Sequence, residues 1–179
     1  MGYLGTKPSN SPLTSELIPN SIITNAKIND VAATKLTGQV PDANAPSGSV
    51  IQVVQGTLAA GSWSTTSTSN VSTGLSASIT PVSSSNKILI VFSGRLDTQA
   101  SNVAGALSFF KNSSLLVSEV ANQYTASGGY TNTTLSFTYL DSPSTTSSTA
   151  YQIYGRVGYG SGTISQSGLW AITLMEIAA

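Results

Sequence analysis

The sequence predicts an all-β protein: an antiparallel β-sandwich head that follows an extended N-terminal arm. Short runs rich in Val, Ile, Leu, Phe and Tyr recur from Ser49 onward, with turn-forming residues between them. No window of 11 or more residues shows the apolar period of about 3.6 that marks a helix. The segment up to Pro46 holds five of the seven prolines, which disfavour long helices and central strands.

The arm is predicted to span residues 1–46, and the head residues 47–179. Apolar residues in the arm are sparse, so alone it should not bury enough surface to fold. One alternative is a disordered tail. We favour an arm that becomes ordered against other subunits, because paired β-branched residues such as Ile22 and Ile23 gain nothing by staying in water. The residues expected to anchor it are Leu4, Leu17, Ile18, Ile22, Ile23, Ile28 and Leu36.

Eight strands are predicted in the head, separated by turn signals. These signals are Pro81 with the serines after it, Asn112-Ser113-Ser114, Gly128-Gly129, Asp141-Ser142-Pro143 and the glycines from Gly158 to Gly162. Each contains residues that tolerate a positive φ or set a tight turn. The strands expected between them are 50–58, 71–80, 87–96, 106–111, 115–120, 131–140, 151–159 and 169–177.

Two kinds of apolar pattern distinguish these strands. Strands 131–140 and 151–159 alternate apolar and polar residues, which indicates one buried and one wet face. Strands 87–96 and 169–177 contain consecutive apolar residues, so both of their faces need cover. Loops of the same chain are one alternative, but another copy of the chain is the simplest source. We therefore predict a subunit interface at Ile88, Ile90, Phe92, Trp170, Ile172 and Leu174.

The composition excludes several classes of partner. Charged residues make up only 8% of the chain, and Lys+Arg 7 balances Asp+Glu 7, so the surface must be kept wet by Ser, Thr, Asn and Gly. A chain without a basic stripe lacks the electrostatic footprint of a nucleic-acid-binding protein. No apolar run approaches the roughly 18 residues that cross a bilayer, so membrane insertion is not expected.

Enzymatic chemistry is also not expected. The chain has no His and no Cys, which removes the commonest general base, thiolate nucleophiles and most metal ligands. The carboxylates of the head are widely separated, without the clusters that calcium sites or glycosidases need; they are Asp97, Glu119, Asp141 and Glu176. We expect no catalytic residue, no metal site and no cofactor, and we expect Glu176 to pair with another subunit or to face water.

Aromatic residues in or near the predicted loops suggest one binding hypothesis. Exposed Tyr and Trp rings can stack on sugars, and the candidates are Trp63, Tyr124, Tyr130, Tyr154 and Tyr159. Ordinary packing is the simplest interpretation of such residues. The hypothesis that we retain is receptor contact by Tyr124, Tyr130 and Tyr159.

Several phrases of the sequence resemble structural proteins of tailed phages. The opening Gly2-Tyr3-Leu4-Gly5-Thr6-Lys7-Pro8 is similar to the start of many short phage proteins, and 22–38 resembles fibre-shaft linkers. Ser49-Val50-Ile51-Gln52-Val53-Val54-Gln55, the passage from Ile79 to Ile90, Phe110-Lys111-Asn112 and Tyr139-Leu140-Asp141-Ser142-Pro143 resemble the β-sandwich heads of phage fibres. These are phrases of common small residues, and they span most of the chain.

The resemblance implies a structural role on the surface of a phage particle. It implies a homotrimer with a jelly-roll-like head, in which residues 1–46 attach to other virion proteins of the tail, baseplate or capsid. The expected function is a fibre or spike subunit that contacts the host surface, with a surface glycan as one candidate partner. Two alternatives stay open: a capsid decoration (cement) protein, and a carbohydrate- or receptor-binding module.

Overall fold

The computed structural model describes residues 45–179, which form two antiparallel sheets packed face to face. The first sheet has the strand order β1-β9-β4-β7, with the short β2 also paired to β9, and the second has the order β3-β8-β5-β6. The predicted all-β sandwich is therefore confirmed, while residues 1–44 of the arm, which include its seven anchoring residues, lie outside the described residues. The strands are β1 (Val50–Leu58), β2 (Ser64–Thr65), β3 (Val71–Ile79), β4 (Lys87–Gln99), β5 (Val103–Lys111), β6 (Ser114–Thr125), β7 (Tyr130–Asp141), β8 (Thr149–Tyr159) and β9 (Thr163–Ile177).

All eight predicted strands are present, and β1 has the predicted bounds. The largest difference is in β9, which begins at Thr163 instead of residue 169. Gly168 adopts a positive φ of 70° there, and the register of β9 with β4 shifts between Ser93 and Arg95. The polar stretch before Leu169 is thus a bulged continuation of the strand, because a bulge interrupts the side-chain pattern without ending the ladder.

The turn between β5 and β6 illustrates how local sequence sets the register. Only Asn112 and Ser113 separate the two strands, and both have positive φ angles, of 48° and 65°. This is the backbone of a type I′ hairpin turn, whose twist matches that of the flanking strands. The side chain of Asn112 accepts a hydrogen bond from the backbone N–H of Ala150 at 2.9 Å, which ties the turn to β8.

Two tryptophans fill the centre of the core, and glycines make room for them. Trp170 is fully buried and its ring centroid lies 5.9 Å from that of Trp63. A Cβ atom on Gly94 would lie 2.4 Å from Cδ1 of Trp170, and one on Gly155 would lie 2.4 Å from Cη2 of Trp63. Glycine is therefore required at both strand positions because the indole rings occupy the space of a side chain.

The six residues predicted to form a subunit interface are instead the core of a single chain. Ile88, Ile90, Phe92, Trp170, Ile172 and Leu174 all have a relative exposure of 0% within one chain. A side chain that is already buried cannot offer surface to a second copy, so the assignment of these residues to an interface was wrong. Both β4 and β9 alternate strictly along these stretches, with every second residue pointing into the sandwich.

The outward residues of β4 and β9 explain why the sequence looked apolar on both faces. Leu89, Val91 and Met175 face away from the core and are half-buried. They need neither loops nor another subunit for this partial cover, because β4 and β9 are adjacent central strands. Each outward side chain has cross-strand neighbours, such as the pairs Leu89–Met175 and Leu89–Leu140.

Candidate functional site

The sandwich has two chemically different ends. The described chain enters at one of them, which we call the entry end, where Ser49 and Ala178 are joined by a 2.9 Å hydrogen bond from the N–H of Ala178 to the carbonyl of Ser49. The loops 80–86, 112–113 and 142–148 lie at the same end. The opposite end, called the far end, carries the loops 100–102, 126–129 and 160–162. All three tyrosines of the receptor hypothesis lie at the far end.

Tyr124 and Tyr159 form a pair on the outer face of the second sheet. Their side chains are 52% and 63% exposed, and the ring centroids are 6.3 Å apart with the planes inclined by 59°. Both residues are cross-strand partners of Ala104, whose short side chain leaves the rings standing clear of the sheet. The Tyr124 hydroxyl donates to Oδ1 of Asn102 at 3.0 Å, which fixes the direction of that ring.

Tyr130 lies at the same end but begins β7, in the other sheet. Its side chain is 52% exposed, and its hydroxyl donates to Oδ2 of Asp97 at 2.6 Å. This hydrogen bond raises the pKa of the Tyr130 hydroxyl above its ordinary value. Oδ1 of Asp97 accepts a further hydrogen bond from Ser167 at 2.6 Å. The structure thus brings Tyr124 and Tyr159 together and holds Tyr130 separately on a carboxylate.

The two remaining aromatic candidates pack against other side chains of the protein and are not available to a ligand. Trp63 is only 8% exposed and belongs to the core. Tyr154 lies on the outer face of the second sheet, but its ring stacks on Phe110 with the centroids 3.8 Å apart and the planes inclined by 19°. For these two residues ordinary packing is the correct interpretation.

The carboxylates of the head are dispersed, and each has partners of its own. Among residues 45–179 no group of three or more acidic side chains comes together as a metal site would need. Asp141 accepts from Lys111 at 3.0 Å and from the hydroxyl of Tyr151 at 2.6 Å. Burial, and then this hydrogen bond, raises the pKa of Tyr151. Glu119 forms an ion pair with Arg156 on the outer face of the second sheet.

Glu176 was predicted to face water or another subunit, and the structure corrects this. Its relative exposure is 0%. One carboxylate oxygen, Oε1, accepts from the backbone N–H of Val82 at 2.8 Å and from Nδ2 of Asn86 at 2.7 Å. The other, Oε2, accepts from Nε2 of Gln52 at 2.5 Å. The residue points inward because it keeps the alternation of Ile172 and Leu174, and it fastens β1 and loop 80–86 to β9.

A cavity of about 430 Å³ opens beside this carboxylate at the entry end. Val82 and Asn86, which both donate to Glu176, line it together with small neutral side chains. None of the lining side chains is a nucleophile with an adjacent base. Ala45, the first described residue, and the C-terminal Ala178 and Ala179 also line it, so the cavity lies where the described chain enters the sandwich.

Comparison with known proteins does not assign the chain to a family. No protein-family model matches the sequence, and no curated protein matches it either. The described residues contain no helix that is long and apolar enough to cross a bilayer. Two features of the described residues bear on function: the arrangement of the two ends of the sandwich and the character of its surface.

Proposed function

We propose that this protein is a structural fibre or spike subunit on the surface of a phage particle, anchored by residues 1–46. One observation carries the proposal: the described chain enters at one end of the sandwich, and exposed tyrosines occupy the opposite end. A subunit held by its N-terminal segment would present these tyrosines outward. The resemblance to phage fibre proteins supplies the location, and the trimeric state is part of the same proposal.

The surface of the head suits a passive extracellular role. The outward positions of β3 at Ser72, Ser76 and Ser78 are exposed serines, which remain hydrated without charge. The chain carries only seven acidic and seven basic residues, so salt has little surface charge to screen. Such a surface is compatible with a particle that passes through media of different ionic strength.

Immunogold labelling tests the location. Antibodies raised against residues 47–179 should label thin projections on purified particles of the virus that encodes the chain. A variant that lacks residues 1–46 should fold but fail to enter the particle, whereas a full-length chain supplied in trans should restore labelling. Label spread evenly over the shell would instead favour a capsid decoration protein, and particles without the chain would refute the virion role.

Carbohydrate or receptor binding is a second candidate function, favoured by the Tyr124–Tyr159 pair. Two half-exposed rings beside the amide of Asn122 on the same face combine stacking surfaces with a hydrogen-bonding group. Retention of the full chain on host cells or a glycan array should fall at least about tenfold in Tyr124→Ala and in Tyr159→Ala, a change of about 1.4 kcal/mol. Val53→Ala, which shortens an exposed side chain on β1, is the control. Equal retention by all variants would argue against this candidate.

A further inference from the structure

Each sheet of a sandwich ends in edge strands whose outer backbone groups need protection from pairing with other chains. In this protein β1 and β7 end the first sheet, and β3 and β6 end the second. Natural edge strands are protected by bulges, prolines, charged residues or cover from a neighbouring element.

Three of the edges carry such devices. β3 shifts register between Ser72 and Ser76, around Gly74 with its φ of 83°. β6 shifts register twice against β5, and it holds the charged Glu119 at a φ of 50°. β1 shifts register near Val50, and at Gly56 it lies directly against the backbone of Ser76 in β3.

β7 has none of these protections between Asn132 and Leu140. It pairs with β4 over twelve consecutive residues without a register shift, and no residue in it has a positive φ. The segment YTNTTLSFTYL contains no proline and no charged side chain. The carbonyl of Thr131 accepts a hydrogen bond from Nε2 of Gln123 in β6 at 2.7 Å, whereas among the described residues the backbone of 132–140 pairs only with β4. Its other edge is thus long, regular and uncharged.

We infer that β7 pairs with β7 of a second copy of this chain, in antiparallel orientation around a two-fold axis at Ser136. Pairing of one edge with itself needs no second surface, since the same residues face each other on both partners. The absence of charge from this edge means that two copies meet without like-charge repulsion. Around this axis the nine residues 132–140 pair with one another and supply about eight backbone hydrogen bonds, within the range found in a stable interface of ordinary size.

The side chains are compatible with this register. On the inward face, Leu135 lies opposite Phe137 of the second copy, and the reverse pair follows by symmetry. Both residues are only half-buried in the single chain and pack against the edge of the core, so a further strand would complete their cover. On the outward face, Ser136 meets its own counterpart and Thr134 meets Thr138, which are favourable hydroxyl pairs.

This inference does not rest on the proposed virion role. A two-fold contact through β7 joins two heads, and a three-fold contact through another surface would be an additional interface. Loss of one contact therefore leaves the other measurable. The two proposals fail in different experiments, since particle labelling reports location and the measurements below report pairing in solution.

Cross-linking of the full chain tests the pairing, because the protein has no native cysteine. Ser136→Cys places one thiol on the proposed axis, where antiparallel neighbours bring the two Cα atoms within the range that a disulfide can span. The matched control is Ser93→Cys, on the residue paired with Ser136 in the adjacent β4. Three strand spacings, about 14 Å, would separate the two copies of this residue, which is too far for a disulfide.

We expect a disulfide-linked dimer of Ser136→Cys under mild oxidation, formed at least tenfold faster than that of Ser93→Cys. Without oxidation, Ser136→Lys should lower the molar mass of the oligomer measured by light-scattering chromatography, because the two-fold contact is lost. Ser93→Lys should leave this molar mass unchanged. Equal cross-linking of the two cysteine variants, or an unchanged mass in Ser136→Lys, would overturn the inference. A native trimer without the Ser136 cross-link would overturn it as well.

Discussion

Replacing Glu176 by Gln should destabilise the fold far more than the same change at Glu119. Glu176 is fully buried and accepts three hydrogen bonds, all from neutral donors of β1 and loop 80–86. Glutamine has nearly the same shape, but one of its two terminal groups is a donor. At least one of the three donors would then face another donor in a site that water does not reach.

The cost of Glu176→Gln follows from these contacts. If the oxygen of the new glutamine replaces Oε1, its NH₂ group faces Nε2 of Gln52, which is also a donor. The side-chain amide of Gln52 could flip to present its oxygen, but it would then lose the 2.8 Å hydrogen bond from Nε2 to the carbonyl of Thr80. Hydrogen bonds to charged groups contribute about 1.5–3 kcal/mol, and a buried unsatisfied donor costs about 1–3 kcal/mol. We expect the free energy of unfolding to fall by about 2–4 kcal/mol, a decrease in Tm of roughly 6–15 °C for a domain of this size.

Glu119→Gln is the matched control for this measurement. The Glu119 side chain is 43% exposed, and its ion pair with Arg156 lies at the surface, where such pairs contribute at most about 1 kcal/mol. Urea unfolding of both variants gives the two free energies, and an unchanged m-value would confirm that the same cooperative unit unfolds. If the two variants differ from the wild type by the same amount, the assigned role of the buried carboxylate is wrong.

Two further predictions concern the core. Since the folded state raises the pKa of Tyr151, the unfolded state releases this proton first as the pH rises. Above pH 10 the free energy of unfolding should therefore fall by about 1.4 kcal/mol per pH unit. In Tyr151→Phe, urea unfolding across pH 8–11 should show a smaller decrease in stability with pH. Ile172→Asp should destabilise the single chain by about 4 kcal/mol or more, because Ile172 has no exposed surface and the new charge has no partner there. Circular dichroism with urea unfolding measures this loss.

The core substitution has an internal reference. Val53→Asp lies on the outer face of β1, where Val53 is 58% exposed, and should cost less than about 1 kcal/mol. A folded Ile172→Asp chain that has only lost its oligomeric state would restore the interface assignment that the burial of Ile172 contradicts.

The strands were predictable because the relevant signals are local. Alternation along 131–140 and 151–159 and the turn residues Asn112 and Ser113 act within a few positions of the chain, so they can be recognised without knowledge of the neighbouring strands. Where a signal is not local, the prediction was less accurate. The start of β9 was placed six residues late because the bulge at Gly168 depends on its pairing with β4.

The candidate site was predictable only in part. Tyr124, Tyr130 and Tyr159 were selected because they stand near turn signals, and all three are exposed at the far end. That Tyr124 and Tyr159 form a pair could not be derived, since it depends on β6 and β8 flanking the same residue of β5. The burial of Glu176 had a detectable signal, because the residue continues the inward alternation of Ile172 and Leu174.

The sequence by itself determined the all-β class, the approximate positions of the turns and of every described strand except the short β2, and the scarcity of charged surface. These properties depend on the chemistry of each residue and its near neighbours in the chain. Only the tertiary structure decided that Ile88 and Ile172 belong to the core of one chain, that Glu176 is buried, and that β7 is left as the regular edge. Their common physical reason is strand order: whether a side chain or a strand edge is covered depends on which strands lie beside it, and distant segments of the chain supply those strands.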